Sequence, residues 1–525
     1  MRLSSNVRVS AACVLALGAL GLGGCGESTA DSGPTATGPT TGSRLAPGGA
    51  MDFGLFRSIV ARGDVPAPDT LDQAGFFAEH AIGTPAVSCG DAVCAASTLG
   101  VMGNMLNGAS CTLVRVALDS TIDPSSLPRE PMHVVLVVDE GPATASAWPS
   151  QITPGVRAMV GALPDGDRLS IISVAAHAQT VLRGQALEAD RGIVDAALGA
   201  LRPDVASNLY EGLRTALDLA RELRTPGEQT RVVLVTAGQP TTGILSPSRM
   251  VALVSDGGAQ GIATTVIGVG DDPNASLLLH LGSTGAGNYY FVDGSRAAEE
   301  IFTEEVQTSL VPVATDVRIR LDAGESFDVR GTYGVSNGSF DQARAELRIP
   351  ALFLATRRDG GTTMMGPGLG RRGGGGAILF ELTPKDTLPA ALDALRVGAV
   401  SVSFVDARTG VRVSRDSEVR STYAPGQYPP GGLFSDPDIE KAFVALNIYV
   451  GLRQMTTAFA EGDSAVALVI GGQLDVNLED WLSRHDDSDI RSDRALVLDL
   501  VDNVESHTSS AVTRTPPPPQ PAWDD

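Results

Sequence analysis

Residues 133–147 read HVVLVVDEGPATASA. Five apolar residues run straight into Asp139, and Gly141-Pro142 then breaks any regular continuation. A short apolar run without alternation is the pattern of a strand buried on both faces, as in a parallel sheet covered by helices. Comparable runs recur in RLSIISVAA (168–176), RVVLVTA (231–237) and ATTVIGVG (263–270), with QTVLRG (179–184) and NYYFVD (288–293) beside them. Helix-like stretches lie between most of them: IVDAALGAL (193–201), LYEGLRTALDLAREL (209–223), SPSRMVALVSDGGAQ (246–260) and ASLLLHLGS (275–283). Within 209–223, Leu209, Leu213, Ala216, Leu217 and Ala220 fall on one helical face. This alternation predicts an α/β fold with a doubly wound, mostly parallel sheet. Its ligand crevice should lie at the C-terminal ends of the strands, where Asp139 stands.

The character changes on either side. CTLVRVALDS (111–120) precedes the block, and VATDVRIRLDAGESFDVRGTYG (313–334), ARAELRIPALFLATRR (343–358), GGAILFELTPK (375–385) and GAVSVSFVDARTGVRVSR (398–415) follow it. Alternation such as Val317, Ile319, Leu321 is period two, the mark of half-buried antiparallel strands. Strands on both sides of one α/β block predict that this block is inserted into a β-sandwich. From Phe434 to His507 the pattern is helical. Ser435-Asp436-Pro437-Asp438 marks a helix start, and Ile439, Phe443, Leu446 and Val450 share a face behind it.

The chain carries 61 acidic against 39 basic residues, a formal charge of −22. Phosphate contacts need clustered Lys and Arg, so nucleic acid and anionic membrane surfaces are excluded as main partners. At the N-terminus, Arg2 and Arg8 precede VSAACVLALGALGLGG, too short and Gly-rich for a membrane span, and the stretch ends in Leu22-Gly23-Gly24-Cys25. This segment resembles a bacterial lipoprotein signal, which implies cleavage before Cys25 and lipid attachment to it. Gly26 after that cysteine favours the outer membrane. Cys13 then leaves with the signal, so Cys89, Cys94 and Cys111 remain for disulfide chemistry. Cys89–Cys94 would close a short loop, and either one with Cys111 a longer one. Six scattered histidines and no second cysteine pair argue against zinc.

Motifs with catalytic associations do not survive their context. Gly334-Val335-Ser336-Asn337-Gly338 fits G-x-S-x-G but joins two β-patterned runs instead of a strand and a helix. GSTGAGN (282–288) follows a helix and precedes a strand, the reverse of a dinucleotide loop, and RRGGGG (371–376) lies in a long Gly-rich loop. The expectation is a protein that is not an enzyme.

The successive blocks HVVLVVD, RLSIIS, SNLYEGLRTAL, RVVLVTAG and TTVIGVGDDPNASLLLHLGSTGAGNYYFVD resemble those of a von Willebrand factor type A (vWA) domain. FRSIVARGDVPAPDTLDQAGFFAEH (56–80), LVPVATDVRIRLD and the helical region after Phe434 resemble the flanking regions of bacterial envelope proteins that carry it. The likeness runs from about residue 51 to about residue 507. It implies a module that binds protein ligands, typically through a metal-ion-dependent adhesion site. In the family an octahedral Mg²⁺ takes oxygens from Asp-x-Ser-x-Ser after the first strand, a Thr before a helix and an Asp after the fourth strand. Mapped here, Asp139 keeps the first carboxylate. Gly141 and Ala143 stand at the serine positions, Ser207 at the threonine and Ala237 at the second aspartate. Two side-chain ligands of five remain, so the metal site is expected to be vestigial, with no cofactor.

The expected organisation is a signal peptide at 1–25, a disordered tether at 26–50 and a flanking region contributing to the sandwich at 51–130. The vWA domain follows at 131–312, the sandwich at 313–425, a helical region at 426–508 and a disordered Pro-rich tail at 509–525. The expected function is an envelope lipoprotein that binds or scaffolds an envelope or extracellular protein. The alternatives are an Mg-dependent adhesion module using Asp139 and Ser207, and an enzyme with an unrecognised site.

Overall fold

A computed structural model describes residues 44–47, 53–80, 82–83, 89–120, 122, 130–187, 191–294, 297–299, 301–303, 312–355, 377–385 and 395–509. Cys25, the RRGGGG stretch and residues 510–525 lie outside that set. In chain order the first elements are β1 (Arg44–Pro47), α1 (Gly54–Ala61), α2 (Gln73–Ala78), β2 (Cys94–Gly103) and β3 (Ser110–Asp119). The α/β block holds β4 (Met132–Asp139), α3 (Thr153–Ala162), β5 (Arg168–Val174), β6 (Ala178–Ala186), α4 (Arg191–Leu198), α5 (Leu209–Glu222), β7 (Gln229–Thr236), α6 (Pro247–Ala259), β8 (Ile262–Gly268), α7 (Ala275–Thr284) and β9 (Ala286–Phe291). Next come β10 (Pro312–Ala323), β11 (Phe327–Tyr333), β12 (Gly338–Phe340), β13 (Arg344–Ala355), β14 (Ile378–Pro384), β15 (Arg396–Asp406), β16 (Arg412–Arg420) and β17 (Leu433–Phe434). Three helices close the described chain: α8 (Pro437–Ala460), α9 (Ser464–Leu482) and α10 (Ser488–Ser509).

Every residue of β4 is buried, because helices cover both faces of its sheet. The sheet runs β6-β5-β4-β7-β8-β9, parallel throughout except that β6 pairs antiparallel with β5. Side chains alternate along the strand. Val134, Leu136 and Val138 enter a core with α3 residues Val156 and Met159. Val135 and Val137 face the opposite core, with Leu213, Ala216 and Leu217 of α5 and Met250 of α6. Asp139 continues the second set and therefore emerges on the α5 side. Gly212 lets α5 approach closely, since a Cβ there would come 2.4 Å from Val174 Cγ2.

The remaining strands form a connected antiparallel system in which β2, β3, β14 and β11 oppose β13, β10, β15 and β16. Val114, Val116, Ile319, Leu321, Leu347 and Val402 fill the core between them. Since β2 and β3 precede the α/β block and β10–β16 follow it, that block is inserted into a β-sandwich, with the helical region after it. Arg44–Pro47 correct one expectation. They lie within the 26–50 segment read as a tether, yet form β1, which pairs with β13 and, through Arg44, with Asp119 of β3.

The helical region does not stand alone. Phe53, Phe56, Phe76 and Phe77 of the N-terminal flank pack with Phe443, Tyr449, Leu452 and Leu500 in one core, while Leu55 joins the core on the α5 face of the sheet. The 51–130 segment thus divides its residues between sandwich and helices. Arg57 sits between the buried carboxylates of Glu79 and Asp493, 2.8 Å from each, and His80 Nε2 lies 2.5 Å from Asp493. Ser58 Oγ donates to Asp293 Oδ2 at 2.6 Å, tying α1 to the chain just after β9. Helix α8 begins where Asp436 Oδ1 caps the Ile439 N–H at 2.9 Å. It is buried nearly all round, Ala442, Val444 and Ala445 included, where the sequence pattern marks a single face. Cys89 and Cys94 form a disulfide, and Cys111 is free and buried.

Candidate functional site

The crevice lies where β4 and β7 end and α5 begins. Asp139 is 1% exposed. Its Oδ1 accepts the Gly141 N–H at 2.9 Å, and its Oδ2 accepts the Thr236 hydroxyl at 2.6 Å. Thr236 Oγ1 in turn accepts the Gly238 N–H at 2.9 Å. Both carboxylate oxygens therefore have donors supplied by the loop that follows β4 and the tip of β7. Burial pushes the carboxyl up, and Thr236, the Gly141 N–H and, more weakly, the Ser207 hydroxyl pull it back. Ser207 Oγ is buried near this carboxylate, and no hydrogen bond of good geometry reaches it.

Gly141 has φ −62°, a conformation open to any residue. What excludes a side chain is packing: a Cβ there would sit 2.6 Å from Ser207 Cβ and 3.0 Å from Asp139 Oδ1. The backbone after β4 has closed onto the start of α5. Residues Pro142–Ala147 then turn as a short 3-10 helix, and Thr144 Oγ1 donates to the Asp139 and Gly141 carbonyls at 2.9 and 2.8 Å. Ala143 and Ala237 lie beside Gly270 at the end of β8, since a Cβ at Gly270 would meet Ala143 O at 2.7 Å and Ala237 Cβ at 3.8 Å, and Ala237 directly follows Thr236. Asp139, Gly141, Ala143, Ser207 and Ala237 are thus gathered at one crevice, with side-chain oxygens only on Asp139 and Ser207.

Neighbouring carboxylates are turned to other tasks. Glu140 Oε1 accepts the Arg202 N–H at 2.9 Å, and burial pushes this carboxyl up while Arg202 and Ser173 pull it back. Asp204 Oδ1 accepts the Val205 and Ala206 N–H groups at 2.7 and 3.2 Å. Among the described residues no group of three or more His, Cys, Asp or Glu could hold a metal ion.

The rim is built from three loops fastened to one another. The Thr241 and Thr242 N–H groups donate to the Ser207 carbonyl at 2.9 and 3.1 Å, and the Ser207 N–H donates to Thr241 Oγ1 at 2.9 Å. Gln239 Nε2 donates to the Asp272 carbonyl, and Asn274 N–H to that of Ala237. Val205 stands out from this rim 89% exposed and Leu245 44% exposed. Sequence reasoning missed Thr236 and these two. Period-two counting along RVVLVTA would have found Thr236, which follows Val232 and Leu234 onto the face that Asp139 occupies.

Residues 132–291 match the family model of the von Willebrand factor type A domain. The uncharacterized protein YfbK of Escherichia coli (strain K12) is 24% identical over 172 residues, covering 33% of this chain and 30% of that relative's length. Among solved structures, von Willebrand factor type A from Catenulispora acidiphila aligns at 14% identity over 79% of this chain and 96% of its own, with a TM-score of 0.46. The conserved hypothetical protein BatB from Bacteroides thetaiotaomicron aligns at 18% over 34% and 97%, with a TM-score of 0.28. The segment that matches the family model is the segment that folds as the six-stranded sheet with its crevice. Residues 132–291 are therefore a von Willebrand factor type A domain, inserted into a β-sandwich.

Proposed function

We propose that this chain is a non-enzymatic lipoprotein of the bacterial cell envelope, anchored through Cys25, most simply in the outer membrane, and that its vWA crevice rim binds another protein without a bound cation. The vWA family is one of protein-interaction modules. One observation carries the cation-free reading: Gly141 packs against Ser207 at the place where the family presents a serine hydroxyl, and both oxygens of Asp139 already accept hydrogen bonds. Mg²⁺ requires near-octahedral oxygen coordination, and Gly141, Ala143 and Ala237 supply no side-chain oxygen to it. Binding then rests on the exposed apolar side chains Val205 and Leu245, held on loops whose backbone bonds are already made, so little ordering cost accompanies association.

Thermal melting of the purified chain in Mg²⁺, Mn²⁺ and EDTA tests the cation-free part, because a ligand specific to the folded state raises the midpoint. Equal midpoints are expected. A rise with cation that Asp139→Ala abolishes would overturn the reading. Pull-down from envelope extract tests the surface: Val205→Asp with Leu245→Asp should lose the captured protein, and EDTA should not.

A further inference from the structure

Helix α9 is apolar on its outer side as well as its inner one. Ala467, Leu474, Leu478 and Trp481 occupy the buried face. On the opposite face Val466 is 45% exposed, Val469 72% and Val476 62%. A surface helix normally sets charged residues there, and an all-round apolar helix is normally enclosed. Valine is also β-branched and a weaker helix former than alanine, leucine or lysine, so local helix stability does not explain three of them in the open. No helix among the described residues is long and apolar enough to cross a membrane.

The neighbouring helix extends this face. A Cβ at Gly471 would come 2.4 Å from Val501, and Arg494 Nε donates to Asp475 Oδ1 at 2.6 Å. These contacts set α9 and α10 antiparallel, and Leu498 of α10 is 38% exposed. Nothing lies within 4 Å of a Cβ built at Gly472, so the surface of α9 is open there. The outer surface of α10 is acidic, with Asp499, Asp502 and Glu505 exposed. Partial burial and the adjacent charge of Asp502 both raise the Asp499 carboxyl. The nearby bases are already engaged, Arg494 with Asp475 and Glu479 and Arg484 with Asp480.

We propose that the outer face of α9, with Leu498 and the acidic surface of α10, is a docking face for a partner protein's amphipathic helix that carries an apolar stripe flanked by Lys or Arg. The charge pattern selects this occupant. A second copy of the chain would set one acidic surface near another, and an anionic lipid bilayer would be repelled by the same charges. Val469 and Val476, seven residues apart, lie on one face of α9, where a partner helix can lay its apolar stripe. The site is separate from the vWA crevice and stands whether or not that crevice binds anything.

The test uses two labelled peptides of about 18 residues, long enough for five helical turns. Both carry the same leucine stripe, one flanked by lysines and the other by glutamates, and binding to the purified full chain is followed by fluorescence anisotropy. The lysine peptide is expected to bind and the glutamate peptide not. Val469→Glu with Val476→Glu should weaken binding roughly tenfold or more, as loss of central anchors does. Asp499→Asn with Asp502→Asn should weaken it severalfold and flatten its salt dependence. Unchanged circular dichroism of these surface variants confirms that they fold. Equal binding of both peptides, binding of neither, or binding indifferent to the valines would overturn the proposal. So would capture of the chain by phosphatidylcholine vesicles through the same valines, or a dimer that Val469→Glu dissociates.

Discussion

Replacing Gly141 by alanine asks directly whether the loop after β4 has closed on the start of α5. The new Cβ would lie 2.6 Å from Ser207 Cβ, about 1 Å short of ordinary carbon–carbon contact. Ser207 cannot move freely, because its N–H and C=O are both bonded to the loop carrying Thr241 and Thr242. Overpacking of this kind typically costs about 1–3 kcal/mol. Because the Gly141 φ is acceptable to alanine, the restricted unfolded chain returns roughly 0.4–1 kcal/mol. The expected net loss is about 0.5–2 kcal/mol, or roughly 1–8 °C in the calorimetric midpoint of a unit of this size. Ser207→Gly removes the opposing Cβ at a cost of up to about 1 kcal/mol in backbone freedom. The double variant should then be more stable than the sum of the single losses allows, by about 1 kcal/mol. A Gly141→Ala protein as stable as the parent, or strictly additive losses, would refute the closed-loop argument.

Other perturbations probe other parts of the chain. The Asp139 carboxyl is raised by burial, so its protonated form is favoured in the folded state. That contribution is fully present below the unfolded carboxyl value and is lost as pH rises through the raised one. Asp139→Asn should therefore gain on the parent protein in thermal midpoint as pH rises above the ordinary carboxylate range. Asp493→Asn leaves Arg57 and His80 facing a neutral amide in a buried setting, and about 3 kcal/mol should be lost. Limited proteolysis would read this as earlier cleavage within residues 53–80. Replacing both Cys89 and Cys94 by serine opens a short loop and should lower stability by about 2 kcal/mol, measured by urea denaturation against the parent.

The parallel sheet was legible because β4, β7 and β8 are buried on both faces, which favours runs rich in β-branched residues without the alternation of a solvent-facing strand. The crevice was legible for a related reason: strand ends are fixed once the strands are. Its interior was not. Thr236 contacts Asp139 across 97 residues of sequence, and only the alternation of β7 links the two. The closing of Gly141 on Ser207 is likewise a matter of loop position, which local pattern does not encode. Helix α8 was read with one apolar face because the sequence shows periodicity but not what surrounds a helix, and here Phe56, Phe76 and Phe77 cover a further side. Those aromatic residues lie nearly four hundred positions upstream of it. The strand β1 escaped notice since four residues, Arg-Leu-Ala-Pro, are too few to show any period.

The insertion of the vWA domain has a consequence for the order in which the chain acquires structure. β3 finds its partner β14 only after more than 250 further residues have been made, and α1 finds α10 later still. The vWA domain, by contrast, closes on neighbours within its own 160 residues. Contacts between distant segments form slowly, because a long loop must close before they bring any gain. During synthesis the vWA domain is thus the first unit able to complete itself, while Phe53, Phe56, Phe76, Phe77 and the β2–β3 hairpin remain without their partners. That interval exposes an aromatic, strand-edged surface which must be shielded from other chains until the last helix arrives.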